Sequence, residues 1–329
     1  MRMISCYVTG ILPRPKELIE ATRNYDRGRV SRGELEKAFE DATLKAINAQ
    51  LSAGLSYITD GMLTWQDLLR PFTENLSGVK IGSLARWFNN NMFYRKPVIV
   101  DEIRRKKSIA ETAHTNFLPK NLPWKAILPA PYTFAQLSEN RFFKGETELM
   151  FAYAKTLREE IKDLAKLGFK YVQLSDPALV YKSITTSTSK DELDTVSEAL
   201  RVAAEGTPIK TCLQTFFGDF SQILPEALEF PMNHFGIDLY ETDFEKLKQY
   251  SFEKGVALGV VDSRSSLAEN QDELITVAKE IIDSIYHSKM KEIFICPNCD
   301  LEFLPWERAK EKLKVLGTVA KRLREEFYG

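Results

Sequence analysis

Short, continuously apolar runs alternate with amphipathic stretches from one end of the chain to the other. The runs cover residues 4–9, 55–59, 126–129, 171–174, 209–215, 234–238, 257–262 and 292–296. Apolar side chains at consecutive positions, rather than at every second one, predict parallel strands buried on both faces. The stretches between them keep a helical period. Leu35, Ala38, Ala42, Ala46 and Ala49 form one buried stripe, and Ser31 with Glu34 makes a capping box in front of it. A second stripe, Leu149, Tyr153, Leu157, Ile161 and Leu164, runs into Gly168, a residue suited to ending a helix in the left-handed conformation. Leu274, Ala278, Ile281 and Ile285 make a third, and Leu313, Leu316, Ala320, Leu323 and Phe327 close the chain. Such stripes are read as core packing.

Eight strand–helix units predict an α/β fold of the (β/α)8 TIM-barrel type, with residues 1–329 as a single barrel. The usual barrel needs ~250 residues. The excess falls between the second and third strands, where residues 75–124 show no steady period and read as an insertion over one mouth. The Arg104-Arg105-Lys106-Lys107 run inside it reads as a solvated charged face. A doubly wound sheet is the rival architecture, but no Gly-rich phosphate loop follows the first strand.

Charge narrows the function classes. Lys plus Arg number 45 and Asp plus Glu 46, a net charge of −1, so the chain lacks the basic excess of a nucleic-acid binder. Four cysteines in 329 residues are no disulfide framework. No run approaches the roughly 18 apolar residues of a membrane span, and residues 3–9 are too short for a secretory core segment. The expectation is a soluble, cytoplasmic protein that binds neither nucleic acid nor membrane.

Barrel chemistry collects at the C-terminal ends of the strands. There the sequence places Asp60, Asp176, Asp238 and Asp262, together with Gln214, Arg264 and Asn298. Carboxylates withdrawn from water at such a rim bind amines or shift their pKa for acid–base work. Cys296-Pro297-Asn298-Cys299 offers half of a tetrahedral zinc site, and Cys212 is the nearest further thiol on an inward-facing position. His114, His234 and His287 form no pair at ligand spacing. Structural cysteines and a redox pair stay open beside a metal.

Read in order, the strand-end motifs resemble a known family. They are Thr9-Gly10-x-x-Pro13-Arg14 with Lys16-Glu17-Leu18; Pro131-Tyr132-Thr133-Phe134; Gln173-Leu174-Ser175-Asp176-Pro177-Ala178-Leu179; Thr215-Phe216-Phe217-Gly218; Leu258-Gly259-Val260-Val261-Asp262-Ser263-Arg264; and Cys296-Pro297-Asn298-Cys299. Their succession resembles the cobalamin-independent methionine synthases, which join two similar barrels. The resemblance implies methyl transfer from a methyltetrahydrofolate-type donor to homocysteine. In that family the C-terminal barrel carries zinc, and this chain matches its ligand pattern clearly only at Cys299. Gln214 and Phe216 stand where the pattern has His and Cys, and Asp238 or Glu241 is nearest to its Glu. At the homocysteine contacts, Ile11, Met62 and Ser175 replace Ser, Glu and Asp.

Thr-Phe-Phe-Gly and Leu-Gly-Val-Val-x-x-Arg resemble the metal-free N-terminal barrel instead. The resemblance therefore implies an N-terminal-type subunit beside a separate zinc-bearing barrel. Arg14 and Lys16 would hold the donor's anionic tail, and Asp176, Gln214, Asp238, Asp262, Arg264 and Asn298 would line the mouth. Two alternatives stay open. One is a self-sufficient enzyme with a zinc site rebuilt from Cys212, Cys296 and Cys299. The other is a non-catalytic scaffold or regulator of a partner methyltransferase.

Overall fold

The computed structural model describes residues 3–112, 115–181 and 189–328, so His114 lies outside the described residues. Its strands are β1 (Met3–Cys6), β2 (Leu76–Arg86), β3 (Phe93–Arg105), β4 (Lys125–Pro129), β5 (Glu139–Asn140), β6 (Tyr171–Ser175), β7 (Lys210–Gln214), β8 (His234–Asp238), β9 (Gly255–Val261) and β10 (Glu292–Pro297). The helices are α1 (Lys16–Asp26), α2 (Arg32–Ser52), α3 (Arg70–Asn75), α4 (Pro131–Leu137), α5 (Glu146–Leu167), α6 (Lys190–Ala204), α7 (Phe244–Leu247), α8 (Gln271–Ile285) and α9 (Trp306–Tyr328).

Seven strands form one sheet in the order β1-β10-β9-β8-β7-β6-β4, with every neighbouring pair parallel. Residues 55–59, read from the sequence as the second strand, contribute a single bridge, Ile58 to Trp124. That segment nevertheless stitches the two sheet edges together. Ser56 N–H donates to Cys6 O at 2.9 Å, Ile58 N–H to Pro123 O at 3.1 Å, and Lys125 N–H to Ile58 O at 3.0 Å. Closure by this eighth segment makes the (β/α)8 barrel.

The helices begin and end as local chemistry dictates. Ser31 caps α2 with the reciprocal Glu34 bond, and α5 stops at Gly168 with φ 106°. The outward faces of the strands pack on these helices and form the main core, while alternate side chains point into the barrel. Among the described residues, no helix is long and apolar enough to cross a membrane.

The 75–124 region is more regular than its sequence suggests. β2 and β3 form a long antiparallel hairpin, and β3 also pairs parallel with β5. Its register shifts between Ser77 and Val79 and again between Ile81 and Leu84, which breaks the period-two alternation that reveals a strand. Arg105 also departs from the solvated-face reading. Its guanidinium meets Glu160 at 2.9 Å and Asp163 at 2.5 Å, which pins the hairpin to α5. Glu160 is only 1% exposed, so this pair sits in the docking interface.

Candidate functional site

At the barrel mouth the strand ends assemble a ring of buried polar groups. Asp176, Gln214, Asp238 and Asn298 are all 0% exposed. Asp176 Oδ1 accepts from Thr133 N–H at 3.0 Å and Thr133 Oγ1–H at 2.6 Å, while its Oδ2 finds no donor among the described residues. Burial of that carboxyl pushes its pKa up to about 7, against the two Thr133 bonds. Gln214 sits on the adjacent strand and carries an equally unpartnered Oε1. Its carboxamide lies over Gly236, where a Cβ would come within 2.0 Å of Oε1, so only glycine leaves it room.

Asp238 and Asn298 form a linked pair. Asn298 Nδ2–H donates to Asp238 Oδ1 at 3.2 Å, and Asp238 also accepts from Phe217 N–H and Tyr240 N–H. Burial pushes the Asp238 carboxyl up to about 6, against these bonds and nearby Arg264. Asn298 Oδ1 in turn orders the Ser263 and Cys299 amides.

Asp262 and Arg264 belong to the rim. Asp262 Oδ1 accepts from Arg264 N–H at 2.9 Å, and the Arg264 guanidinium pairs with Glu241 at 2.6 Å.

Above this ring lies an aromatic cover. The hairpin tip brings Phe88 to 4.9 Å from Tyr181 and 5.6 Å from Phe217, ring centre to ring centre. Phe217 extends the cover to Phe303 at 6.0 Å and lies under the Arg264 guanidinium. Phe88 and Phe217 both hold positive φ, 51° and 65°. L-residues adopt that region at a cost of order 1–2 kcal/mol, so their mutual packing maintains strained backbone at the mouth.

Arg14 and Lys16 stand apart from the ring. They line a groove of about 1330 Å³ between α1, α2 and the start of α9. Arg14 spends two donors on the Leu63 and Trp65 carbonyls, at 2.9 and 3.1 Å, whereas Lys16 is exposed and pairs loosely with Glu20 at 3.6 Å. Arg23, Lys45, Lys310 and Lys314 line the same groove.

The cysteines do not assemble a zinc site. All four are free and 0% exposed. Cys212 and Cys296 pack with Tyr7, Tyr57, Tyr171 and Phe294 inside the barrel, whereas Cys299 packs with the main core. Burial pushes the thiols of all three upward and so disfavours the thiolate that a metal requires. Among the described residues, no three His, Cys, Asp or Glu side chains gather as metal ligands. The described residues do not fit zinc, and among them Cys212, Cys296 and Cys299 do not gather into one site.

Three groups escape the sequence reading. Lys125, fully enclosed in the barrel, donates to Val8 O at 2.7 Å and lies 3.2 Å from the Tyr7 ring centre; burial drops its pKa to about 7. A lysine opening an otherwise apolar strand was the available signal. Asp300 is buried with Oδ1 on Ile11 N–H at 2.9 Å, and Gly10 is packed directly against that carboxyl. Beside it, Glu302 has its pKa raised by burial and by Asp300. Nothing in the sequence marks these two, because the contact joins the ends of β1 and β10.

Comparison with known proteins bears on the whole barrel. Residues 5–322 match the family model described as "Cobalamin-independent synthase, Catalytic domain". A methionine synthase of Saccharolobus solfataricus is 30% identical over 97% of this chain and 95% of its own length. One from Sulfurisphaera tokodaii is 28% identical over 97% and 92%. Among solved structures, a B12-independent methionine synthase from Shewanella sp. W3-18-1, in complex with selenomethionine, superposes with TM-score 0.82 at 21% identity, covering 98% of both chains. A putative counterpart from Listeria monocytogenes gives 0.71 at 17% identity over both full lengths. A family model spanning nearly all of the barrel, with relatives of the same length, establishes that the chain belongs to the cobalamin-independent methionine synthase family.

Proposed function

We propose that this barrel binds the folate-type methyl donor and works as an N-terminal-type subunit beside a separate zinc-bearing barrel, which activates homocysteine. The observation that carries this reading is the state of the thiols: buried, held protonated and divided between two packing clusters. Activating homocysteine at neutral pH needs a group that stabilises a thiolate, and neither Gln214 nor Phe216 offers one. Residues 5–322 match a catalytic-domain model, and the same match is open to the self-sufficient enzyme, so the thiols alone carry the choice.

What remains suits ligand binding. The mouth presents acceptors, Asp176 Oδ2 and Gln214 Oε1, that favour a donor-rich group such as an ammonium. The groove offers Arg14 and Lys16, with further cations beside them, to an anionic tail. Asp238, Asn298, Asp262 and Arg264 complete the polar lining of the mouth.

The test is reconstitution with elemental analysis. The purified chain is expected to hold almost no zinc and to form no methionine from homocysteine and methyltetrahydropteroyl triglutamate. Turnover is expected once the zinc-bearing barrel of the same organism is added. One zinc per chain, or full turnover by the chain alone, would replace this reading with the self-sufficient enzyme.

A further inference from the structure

The outer half of the β2–β3 hairpin has two faces, and one of them packs on the barrel. Trp87 and Tyr94 are buried there, and the Tyr94 hydroxyl donates to Leu137 O at 3.0 Å. On the other face, Pro97, Arg95 and Phe93 of β3 stand opposite Ile81, Leu84 and Arg86 of β2. Residues two apart on β3 point the same way, and directly opposed residues share that face. The bulge between Ile81 and Leu84 holds one extra residue, which returns Leu84 to the face of Ile81. The result is a patch where Ile81, Leu84 and Phe93 are 49%, 58% and 52% exposed. The Arg86 guanidinium lies over the Phe93 ring, 6.0 Å from its centre. Residues 75–100 contain Lys80, Arg86, Arg95 and Lys96 but no acid, in a chain whose net charge is −1. Among the described residues, none of these four cations makes an ion pair. β2 is also the edge strand of its three-stranded sheet.

We propose that this hairpin face is the docking surface for the zinc-bearing barrel, and that it meets carboxylates set around an apolar patch on that partner. This rests on the two-subunit reading above. Methyl transfer between two chains brings donor and acceptor into contact, so the partner must sit over this mouth. The hairpin already stands there, with Phe88 at its tip packed on Tyr181 and Phe217. Arg86 and Phe93 flank that tip on the exposed side. Exposed arginine and aromatic side chains are the usual anchors of protein interfaces. A second copy of this chain is disfavoured, because a two-fold contact through the patch sets Arg86 and Arg95 against their own kind. An anionic membrane would meet the cations but makes no use of the β2 edge, to which a protein strand can add.

The experiment measures binding of the full chain to the zinc-bearing barrel of the same organism by titration calorimetry. The wild type is expected to bind, and to bind more weakly at ~0.5 M salt. Arg86→Glu combined with Arg95→Glu is expected to weaken binding about 100-fold, and Leu84→Asp about tenfold. Val277→Asp, at a comparably exposed apolar position on α8, is expected to stay within about twofold. All variants should melt within a few degrees of the wild type, because the replaced side chains are exposed. In the reconstituted pair, the hairpin variants should need more partner for half-maximal turnover and reach the same maximal rate. No binding by the wild type would overturn the two-subunit reading, and the docking surface with it. Binding that the hairpin variants leave unchanged would overturn the docking surface alone. So would partner affinity left intact while the variants lose self-association or binding to phosphatidylglycerol–phosphatidylcholine vesicles, which would assign the face to a second copy or to lipid.

Discussion

The lower interior of the barrel and its mouth both bury polar groups, and they differ in how the carboxyl and ammonium groups are partnered. Below, the charged groups have partners, although His234 Nδ1 finds none among the described residues. Lys125 gives its proton to Val8 O and its cation to the Tyr7 ring, and Glu292 bridges Lys210 and His234, which holds the Glu292 carboxyl down at about 2. At the mouth, Asp176 and Gln214 each keep an acceptor without a donor, and the backbone above them is strained at Phe88 and Phe217. Unpaired buried acceptors cost about 1–3 kcal/mol each. The lower region is arranged for stability, while the mouth retains features that only a ligand can repay.

The sharpest way to separate the two is Lys125→Met. The folded-state pKa of about 7 lies below the ordinary 10.5, so between these values the unfolded chain holds more protons than the native one. Stability therefore rises with pH through that window, by about 1.4 kcal/mol per unit near its centre, and the full penalty is present below pH 7. The Met variant lacks this slope. Urea unfolding of both proteins from pH 7 to 10 is expected to give curves that converge as pH rises, with ligand affinity unchanged. Parallel curves would mean that Lys125 is not held in a low-dielectric interior.

Asp176→Asn probes the mouth and is expected to act in reverse. The variant keeps an acceptor for Thr133 and removes a carboxylate whose pKa rises on folding from 3.8 to about 7. Here the native state holds the extra proton, so the wild type loses stability as pH rises from about 4 to 7. At pH 8 the Asn variant is expected to melt a few degrees higher while methyl transfer in the reconstituted pair falls about 100-fold. Equal losses of stability and activity would make Asp176 another structural acid and erase the contrast.

The two regions also differ in what the sequence discloses. Apolar runs locate all eight barrel segments, because a strand covered on both faces is apolar at most of its positions. The Ser31–Glu34 box and Gly168 mark the ends of their helices for reasons confined to a few neighbouring residues. The hairpin stays hidden because its bulges destroy the alternation. Arg105 misleads because its partner Glu160 comes from α5, between the buried Leu157 and Ile161. At the mouth, residue identity and strand-end position suffice to nominate Asp176, Gln214, Asp238 and Asn298. Their environment depends on contacts between distant loops: Phe88 on Phe217, and Asp300 on Ile11. A linear reading therefore names the mouth's polar residues without showing that they are covered.

The cover yields the smallest expected effect and the most local one. Phe88→Gly removes the ring that meets Trp87, Tyr181 and Phe217 and relieves the strain of φ 51°. The two changes oppose each other, each of order 1 kcal/mol, so global stability is expected to move by less than about 1 kcal/mol. Local protection is not balanced in this way. Phe217 N–H and Tyr240 N–H bond to Asp238 directly beneath the rings and stay dry only while the cover is closed. Hydrogen exchange is expected to quicken several-fold in peptides spanning 214–220 and 238–242. It should remain unchanged in β4 and β10, whose ladders do not depend on the hairpin tip. Uniform quickening across the barrel would show ordinary destabilisation, and no change at the mouth would show that the rings do not seal it.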